Sequence, residues 1–266
     1  MNSSFGLALV LSALAMSPRA SSTRASTEFD HAHTLWTEVL RAHVKGDGFD
    51  YAALKQDPSK LEAYLELLHA VSPAELEGWT EAQRFAFWID VYNAHTIRLM
   101  IENYPLKSIR KLDGAFGIKS VFDKEFIPMR AHHPGGKDED LSLNDVEHEI
   151  LRKQFKDARV HAAINCASKS CPPLRDEAFV AERLDAQLEQ QMRALVNDPS
   201  RNRFDREKEE LRISEIFEWF AEDFEREAKS VKEYLVRFAP PDQAEFIRGA
   251  KLRHLDYDWD LNDVAR

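Results

Sequence analysis

Apolar residues recur at helical spacing through the N-terminal half of the chain. Residues 29–44 and 61–71 each repeat an apolar side chain every three or four positions, which predicts two amphipathic helices. Thr80 and Gln83 form a capping-box sequence, so a third helix is predicted to begin there and to run to Pro105, which stops it. This third stretch is apolar nearly all round, which predicts a helix in the centre of the fold.

Polar residues fall on or beside the buried faces of two predicted helices. Asn93 points inward from the central helix, so it either ties down a neighbouring loop or orients a catalytic histidine. Ser142 and Asp145 form a second capping-box sequence, which begins a helix that runs to about residue 155. On that helix Glu147 lies in the middle of the apolar stripe and His148 at its rim. Because a buried carboxylate is costly unless it is paired, Glu147 either pairs with an arginine or holds a catalytic imidazole.

The remaining pattern mixes short strands with helices. Strands are predicted over 121–129, 159–166, 202–204, 211–213 and 252–259, and helices over 179–196, 214–224, 231–238 and 243–248. The segments 202–204 and 211–213 are predicted to form a hairpin. No internal repeat or composition break divides the chain after its first residues. We therefore expect an α+β fold over residues 27–266: one helix-rich domain with a small antiparallel sheet and a central buried helix.

The first residues are typical of an export signal. An apolar run from Phe5 to Met16 has about the length of a signal-peptide core, and small residues with Ser and Thr follow it up to Thr27. The run is too short to span a bilayer, and no later stretch is long and apolar enough. We expect a signal peptide within residues 1–26 and a periplasmic or secreted protein.

Charge and spacing argue against several classes of partner. The formal net charge of −10 is spread along the chain without a basic stripe, which argues against nucleic acid and anionic membranes. His132 and His133 are adjacent, but no Cys, His or Asp spacing nearby completes a metal site. We expect no cofactor, no metal and no stable membrane insertion, and a small-molecule or peptide substrate.

Both cysteines of the chain lie in one stretch of small residues between His161 and Pro173. Pro172 directly follows Cys171, and the small neighbours of Cys166 and Cys171 allow a tight turn and the close approach of a ligand. A nucleophile site has this composition, and so does a loop closed by a disulfide. On regular strand alternation His161 and Cys166 would face opposite sides, so they would meet only across a bend.

A thiol hydrolase needs a stabilised thiolate, a histidine within hydrogen-bond reach and a group that orients the imidazole. The chain offers Cys166 or Cys171 as nucleophile, His148 or His161 as base, Glu147 or Asn93 as orienting group, and the amides of Ala167 and Ser168 as an oxyanion hole. We prefer Cys166 as the nucleophile, because Asn165 and Ala167 leave it unhindered. The prolines next to Cys171 make the backbone there rigid.

Four stretches taken together resemble one family. They are Ala86-Phe-Trp-Ile-Asp-Val-Tyr-Asn-Ala94, Ser142-Leu-Asn-Asp-Val-Glu-His148, His161-Ala-Ala-Ile-Asn-Cys-Ala-Ser-Lys-Ser-Cys-Pro-Pro173 and Tyr257-Asp-Trp-Asp-Leu-Asn262. In this order they resemble the family known as domain of unknown function 547, over about Trp79 to Asn262. One departure is Asp90, where the family pattern has an asparagine, so a hydrogen-bonding role there would change sign. Some relatives look similar to papain-like or transglutaminase-like thiol hydrolases, which is an analogy.

The sequence thus favours a cysteine-dependent hydrolase or acyl transferase, with amide bonds as the expected target. The alternative is a non-catalytic binding or scaffold domain, in which Cys166 and Cys171 form a disulfide and the motif residues form a buried polar network. So short a ring gains roughly 2 kcal/mol or less from loop closure. The enzyme hypothesis requires a ring nitrogen of His148 or His161 within about 4 Å of a sulfur, or within reach of one after a modest loop movement.

Overall fold

The computed structural model describes residues 28–114 and 118–264, so the predicted signal peptide, residues 1–26, lies outside the described residues. The α-helices are α1 (Thr34–His43), α2 (Tyr51–Gln56), α3 (Ser59–Ala70), α4 (Pro73–Glu77), α5 (Glu81–Asn103), α6 (Val160–Ala163), α7 (Leu184–Asn197), α8 (Ile216–Trp219), α9 (Ala221–Glu227), α10 (Val231–Phe238) and α11 (Ala244–Gly249). The strands are β1 (Val44–Lys45), β2 (Gly48–Phe49), β3 (Arg203–Asp205), β4 (Glu210–Ser214) and β5 (Lys251–Leu255). A π-helix spans Asp145–Phe155, and 3₁₀ turns span Ile109–Leu112, Val121–Asp123, Arg130–His132, Ala181–Arg183 and Pro241–Gln243.

The predicted central helix is confirmed in α5. Its capping box forms as expected, with reciprocal hydrogen bonds between Thr80 and Gln83. Every residue from Phe85 to Ile101 except Arg98 is buried, and the helix packs against α2, α3 and the π-helix. A helix that is apolar on all sides has no face to give to solvent, so it is enclosed by its neighbours.

The α+β architecture is also confirmed. The hairpin predicted at 202–213 is the antiparallel pair β3 and β4, while β5 adds to β4 in parallel and makes this three-stranded sheet mixed. Parallel pairing needs a long connection, which α8 to α11 provide. A second sheet is the antiparallel pair β1 and β2. The mixed sheet belongs to an apolar cluster with α7 and α10, next to the larger cluster around α5.

Two predicted strands are wrong. The segment 121–129 begins with a 3₁₀ turn at Val121–Asp123, capped by Ser120, and makes only an isolated bridge between Ile127 and Leu141. The segment 159–166 contains the one-turn helix α6. Its alanines favour a helix, and its last carbonyl, that of Ala163, is bonded by a side chain of α5 instead of a neighbouring strand.

Helices in the second half begin or break at other residues than expected. The helix predicted over 179–196 begins at Leu184, because the Gln187 side chain bonds the backbone of Ala178 and Val180 and holds those residues in an extended connection. The helix predicted over 214–224 is divided at Phe220 into α8 and α9. This break turns α9 towards α6.

The two adjacent histidines, His132 and His133, each have a hydrogen-bond partner. Nε2 of His132 bonds the carbonyl of Val71 at 2.8 Å, and Nδ1 of His133 accepts the N–H of Gly135. Within the described ranges, no group of three or more His, Cys, Asp or Glu side chains is placed to hold a metal ion. The same part of the chain contains no helix with the length and apolar character that crossing a bilayer requires.

Candidate active site

The loop that carries both cysteines is fixed by two asparagines. From α5, Asn93 donates through Nδ2 to the carbonyl of Ala163 and accepts the N–H of Asn165 at Oδ1, both at 2.9 Å. Asn165 in turn donates to the carbonyl of Pro172 and accepts the N–H of Ala167, both at 2.7 Å. Ala167 has a φ of 64°, a left-handed conformation that these bonds impose. Asn93 therefore holds the loop backbone, and the Ala167 amide, which the sequence assigned to an oxyanion hole, is already occupied.

A buried arginine holds the loop from the other side. Arg201 is 5% exposed and donates from Nε to the carbonyl of Cys171 at 2.8 Å and from Nη2 to the carbonyl of Lys169 at 2.9 Å. Asp198 and Asp47 form ion pairs with its Nη1. Because the charge is balanced and most donors are used, Arg201 fixes the backbone beside the second sulfur.

The segment after β5 closes the loop on a third side. The N–H of Asn262 donates to the carbonyl of Ala167 at 3.1 Å, and its Oδ1 accepts the hydroxyl of Tyr51 at 2.6 Å. The N–H of Lys169 donates to the carbonyl of Asp260 at 2.8 Å. These contacts bring the C-terminal motif against the cysteine motif.

Both cysteines are free thiols, and their sulfurs share two hydroxyl groups. Cys171 Sγ lies 3.1 Å from the hydroxyl oxygen of Tyr257 and 3.3 Å from Oγ of Ser168. Cys166 Sγ lies 3.4 Å and 3.3 Å from the same two atoms. Cys171 Sγ also accepts the backbone N–H of Cys166 at 3.0 Å. Cys166 is partly exposed and Cys171 is 3% exposed, so hydrogen-bond donors converge on the more buried sulfur.

The two thiols ionise as a pair. Burial would raise the pKa of Cys171, but hydrogen bonds from Cys166, Ser168 and Tyr257 outweigh it and lower that pKa to about 6. The hydrogen bond to Cys171, together with burial, raises the pKa of Cys166 well above its usual range. At neutral pH the pair therefore carries one negative charge, and this charge resides on Cys171, because that sulfur accepts the backbone N–H of Cys166.

His161 of α6 is held by a carboxylate that the sequence analysis did not identify. Its Nε2 lies 2.8 Å from Oδ2 of Asp223 on α9. Despite burial, hydrogen bonds from His161, Arg152 and Arg226 lower the pKa of Asp223 far below its usual range, so it is an ionised acceptor. The Nε2 atom therefore carries the ring proton, and Nδ1 carries the lone pair. The ring stacks on Phe220 with centroids 3.8 Å apart, which fixes its plane.

The lone pair of His161 is available for chemistry. Its Nδ1 is buried and has no hydrogen-bond partner within the described residues. Burial lowers the pKa of His161 to about 4, so the ring is neutral at physiological pH. A neutral imidazole with one nitrogen fixed and the other unoccupied has a lone pair that can accept a proton.

The π-helix carries the acidic member of the site. The predicted capping box forms between Ser142 and Asp145, and the helix then winds with the wide π-helical turn, which is frequent at functional sites. Oε1 of Glu147 lies 3.9 Å from Nδ1 of His161, beyond hydrogen-bond distance. Burial raises the pKa of Glu147 to about 7, and Tyr92 is hydrogen-bonded to it. Glu147 is therefore close to half protonated at neutral pH.

His148 has an arginine for its partner. Its Nδ1 lies 2.9 Å from Nη1 of Arg152, and burial and the charge of Arg152 lower its pKa. Since a guanidinium only donates, Nδ1 of His148 is already used as an acceptor. Of the two predicted bases, His161 is thus the one with an unoccupied lone pair.

One cavity of about 160 Å³ joins these groups. Its lining consists of Tyr92, Phe122, Asn144, Glu147, His148, His161, Ile164, Cys166, Cys171, Pro172, Ile216, Trp219, Phe220, Tyr257 and Trp259. Four predicted site residues, Cys166, His148, His161 and Glu147, therefore meet, while Asn93 supports the loop behind them. Across residues 28–114 and 118–264, no hydrogen bond joins a histidine to either sulfur. The cavity brings thiol and imidazole together without the direct contact that the enzyme hypothesis expected.

Two residues of the site were not assigned from the sequence. Asp223 left a signal, because it follows Phe220 by three positions and precedes Phe224, which places a carboxylate on an apolar helix face. Tyr257 belongs to the last of the four motifs, but no local pattern connects its hydroxyl with the cysteines. Such a contact across the fold is visible only in the structure.

Comparison with known proteins supports part of the predicted resemblance. No curated protein and no solved structure matches the chain. The matching family segment includes α5, the π-helix and the cysteine loop, and it ends before Asp223 and Tyr257. Over residues 76–196 the chain is similar to the family described as Protein of unknown function, DUF547.

Proposed function

We propose that the protein is a cysteine-dependent hydrolase or acyl transferase that acts on amide bonds. The observation that carries this proposal is the cavity shared by the Cys171 sulfur and the unoccupied Nδ1 of His161, whose Nε2 is held by Asp223. Thiolate, imidazole and carboxylate are the parts of a nucleophilic triad. The same set of groups supports the proposed likeness to papain-like or transglutaminase-like hydrolases.

In the first step the Cys171 thiolate attacks the carbonyl carbon of the substrate. A sulfur–carbon bond forms, and the carbonyl electron pair moves to oxygen. The sulfur then no longer needs the N–H of Cys166 or the hydroxyl of Tyr257, since it has lost its negative charge. Both donors are then available to the oxyanion, in place of the oxyanion hole expected at the amides of Ala167 and Ser168.

Glu147 and His161 divide the proton transfers between them. Glu147, with a pKa of about 7, donates its proton to the leaving amine as the carbon–nitrogen bond breaks. Nδ1 of His161 then removes a proton from water, and the hydroxide attacks the thioester carbonyl. The carbon–sulfur bond breaks, which releases the acid and the Cys171 thiolate, and His161 returns its proton to Glu147, whose Oε1 lies 3.9 Å from Nδ1. An amine in place of that water would make the reaction an acyl transfer.

Labelling identifies the reactive sulfur. The sequence favours Cys166 for its accessibility, whereas the hydrogen bonds favour Cys171. The native protein is treated briefly with iodoacetamide without reductant, and the alkylated peptide is identified by mass spectrometry. We expect label on Cys171, with a pH midpoint near 6 and little loss in Cys166→Ser. Label confined to Cys166 would reassign the nucleophile.

The alternative is a non-catalytic binding or scaffold domain. The density of hydrogen bonds that Asn93, Asn165 and Arg201 make to the loop favours it, because such a network also serves rigidity alone. In that case Cys166 and Cys171 pair in the mature protein. Absence of any titratable thiol until reductant is added would support the scaffold and contradict the enzyme.

We also propose that the protein is periplasmic or secreted. The support for this proposal is the apolar run from Phe5 to Met16, which has the length of a signal-peptide core. Fractionation of expressing cells, with the N-terminus of the mature chain determined, tests this: a new N-terminus at or before residue 27 in the exported fraction is expected. A full-length chain in the cytoplasm would contradict it.

A further inference from the structure

A second cavity, of about 390 Å³, lies beside the first and shares His148 with it. Four cationic side chains line it, those of Arg152, Lys153, Lys156 and Arg226. Two carboxylates, those of Glu149 and Asp223, also line it, which leaves an excess of positive charge in a chain whose net charge is −10. A concave cationic site on an acidic protein attracts anions locally.

Arg152 lines the second cavity and contacts two residues that line the first, His148 and Phe220. Its Nε donates to Asp223 at 2.6 Å, its Nη1 lies 2.9 Å from Nδ1 of His148, and its guanidinium carbon lies 5.0 Å from the ring centroid of Phe220. No hydrogen-bond partner for Nη2 occurs among the described residues. The guanidinium is thus held in a fixed plane with a free donor, the preorganised state in which arginine binds a carboxylate well.

The other cations are unequally engaged. Lys153 pairs with Glu149 at 2.6 Å, and Arg226 donates to Asp223 at 2.7 Å and to the carbonyl of Lys156 at 3.4 Å. Lys156 is exposed and has no ion-pair partner in the described part of the chain. Lys156 directly follows the last residue of the π-helix, and the carbonyl groups at a helix C-terminus stabilise a nearby cation whether or not a ligand binds. Two cationic groups therefore have no partner among the described residues, Nη2 of Arg152 and Nζ of Lys156, and both belong to a cavity that shares His148 with the cavity of the thiols.

We propose that this second cavity binds a carboxylate of the substrate, so that the substrate carries a carboxylate near the bond that Cys171 attacks. That the bound molecule is a substrate rests on the proposed function, whereas binding of its carboxylate does not. A ligand with a carboxylate near an amide would reach into both cavities, with His148 between its two ends. Its amide would lie in the cavity of Cys171 and its anionic end against Arg152 and Lys156.

Titration with two matched small molecules tests this proposal. N-acetylglycine has an amide and a carboxylate, and N-acetylglycinamide has the same skeleton without the charge. Each is added at constant pH to the full chain while the ring resonances of His148 are followed by nuclear magnetic resonance. We expect saturable shifts with N-acetylglycine and binding of the neutral molecule weaker by about tenfold.

Three variants distinguish the effect of the charge at Lys156 from the effect of the net charge of the protein. Lys156 has a φ of 55°, which asparagine tolerates, so Lys156→Asn removes the charge without backbone strain and should weaken N-acetylglycine binding about threefold to tenfold. Lys156→Arg should restore it. Lys60→Asn, at an exposed lysine on α3 that pairs with Glu38, is the control and should change nothing.

The outcomes are distinct from those for the catalytic proposal. Cys171→Ser should retain N-acetylglycine binding, so a protein without hydrolase activity that still prefers the charged molecule would refute the proposed function alone. Equal responses to the two molecules, no response to N-acetylglycine, or equal weakening by Lys156→Asn and Lys60→Asn would each overturn the carboxylate site.

Discussion

Replacing Tyr257 by phenylalanine removes one donor from the sulfur pair and keeps the ring between Trp219 and Trp259, whose centroids lie 4.7 Å and 4.6 Å away. A hydrogen bond to a charged group contributes about 1.5–3 kcal/mol. One pKa unit corresponds to about 1.4 kcal/mol. The pKa of Cys171 should therefore rise by about one to two units from its value of about 6, because the lost donor stabilises only the thiolate. At neutral pH the thiolate would fall from the major form to half or less.

The assay is the rate of alkylation of the native protein by iodoacetamide as a function of pH, with the ultraviolet absorbance of the thiolate as an independent readout. Tyr234→Phe is the matched control, since the Tyr234 hydroxyl is buried and has no hydrogen-bond partner among residues 28–114 and 118–264. We expect the control to keep the wild-type midpoint and Tyr257→Phe to shift it upward. Identical midpoints in Tyr257→Phe and the wild type would refute the argument that this hydroxyl stabilises the thiolate.

Further predictions concern the base, the central helix and the loop. His161→Gln should slow release of an acyl group from the enzyme by about 10²- to 10⁴-fold in single-turnover kinetics, while the alkylation midpoint of Cys171 stays near its wild-type value; an unchanged release rate would exclude His161 as the base. Burial raises the pKa of Asp90 well above its ordinary value of 3.8, so the wild type loses stability as pH rises beyond that value. Asp90→Asn should therefore gain on the wild type by up to about 1.4 kcal/mol per pH unit above pH 4 in urea denaturation, and a gap that closes with rising pH would contradict this. Arg201→Gln should lower the free energy of unfolding by about 3–5 kcal/mol, because it removes the ion pair of Asp198 and the hydrogen bonds to two loop carbonyls. Arg203→Gln, on the exposed face of β3, is the control and should change the free energy of unfolding little. Equal effects of the two substitutions would show that the loop does not depend on Arg201.

Much of the fold could be predicted because burial gives long helices and strands a recognisable pattern of apolar residues. The helix α5 is apolar on all sides and is capped by Thr80, and both signals are local. The helix α6 could not be recognised in this way, since a single turn contains no period and its surroundings are apolar in every direction. The break at Phe220 likewise depends on how α9 packs against α6, which no local pattern encodes.

In the candidate site, too, the residues that local patterns identify differ from those that only a contact across the fold identifies. Glu147 was identified because a carboxylate on an apolar stripe conflicts with the local pattern, and Cys166, Cys171 and His161 because they share one short motif. Of the two roles expected for Asn93, its hydrogen bonds to Ala163 and Asn165 correspond to the first, holding a neighbouring loop. Which group holds the imidazole depends on a contact across 62 positions of sequence, between His161 and Asp223.

The central claim is that the thiolate on Cys171 accepts an acyl group which His161 helps to remove. The most direct measurement is the mass of the intact protein at short times after mixing with an activated acyl ester. The account predicts a single acyl group on Cys171, short-lived in the wild type, long-lived in His161→Gln and absent in Cys171→Ser. A protein that gains no acyl group, or gains one that persists equally in all three forms, would contradict it.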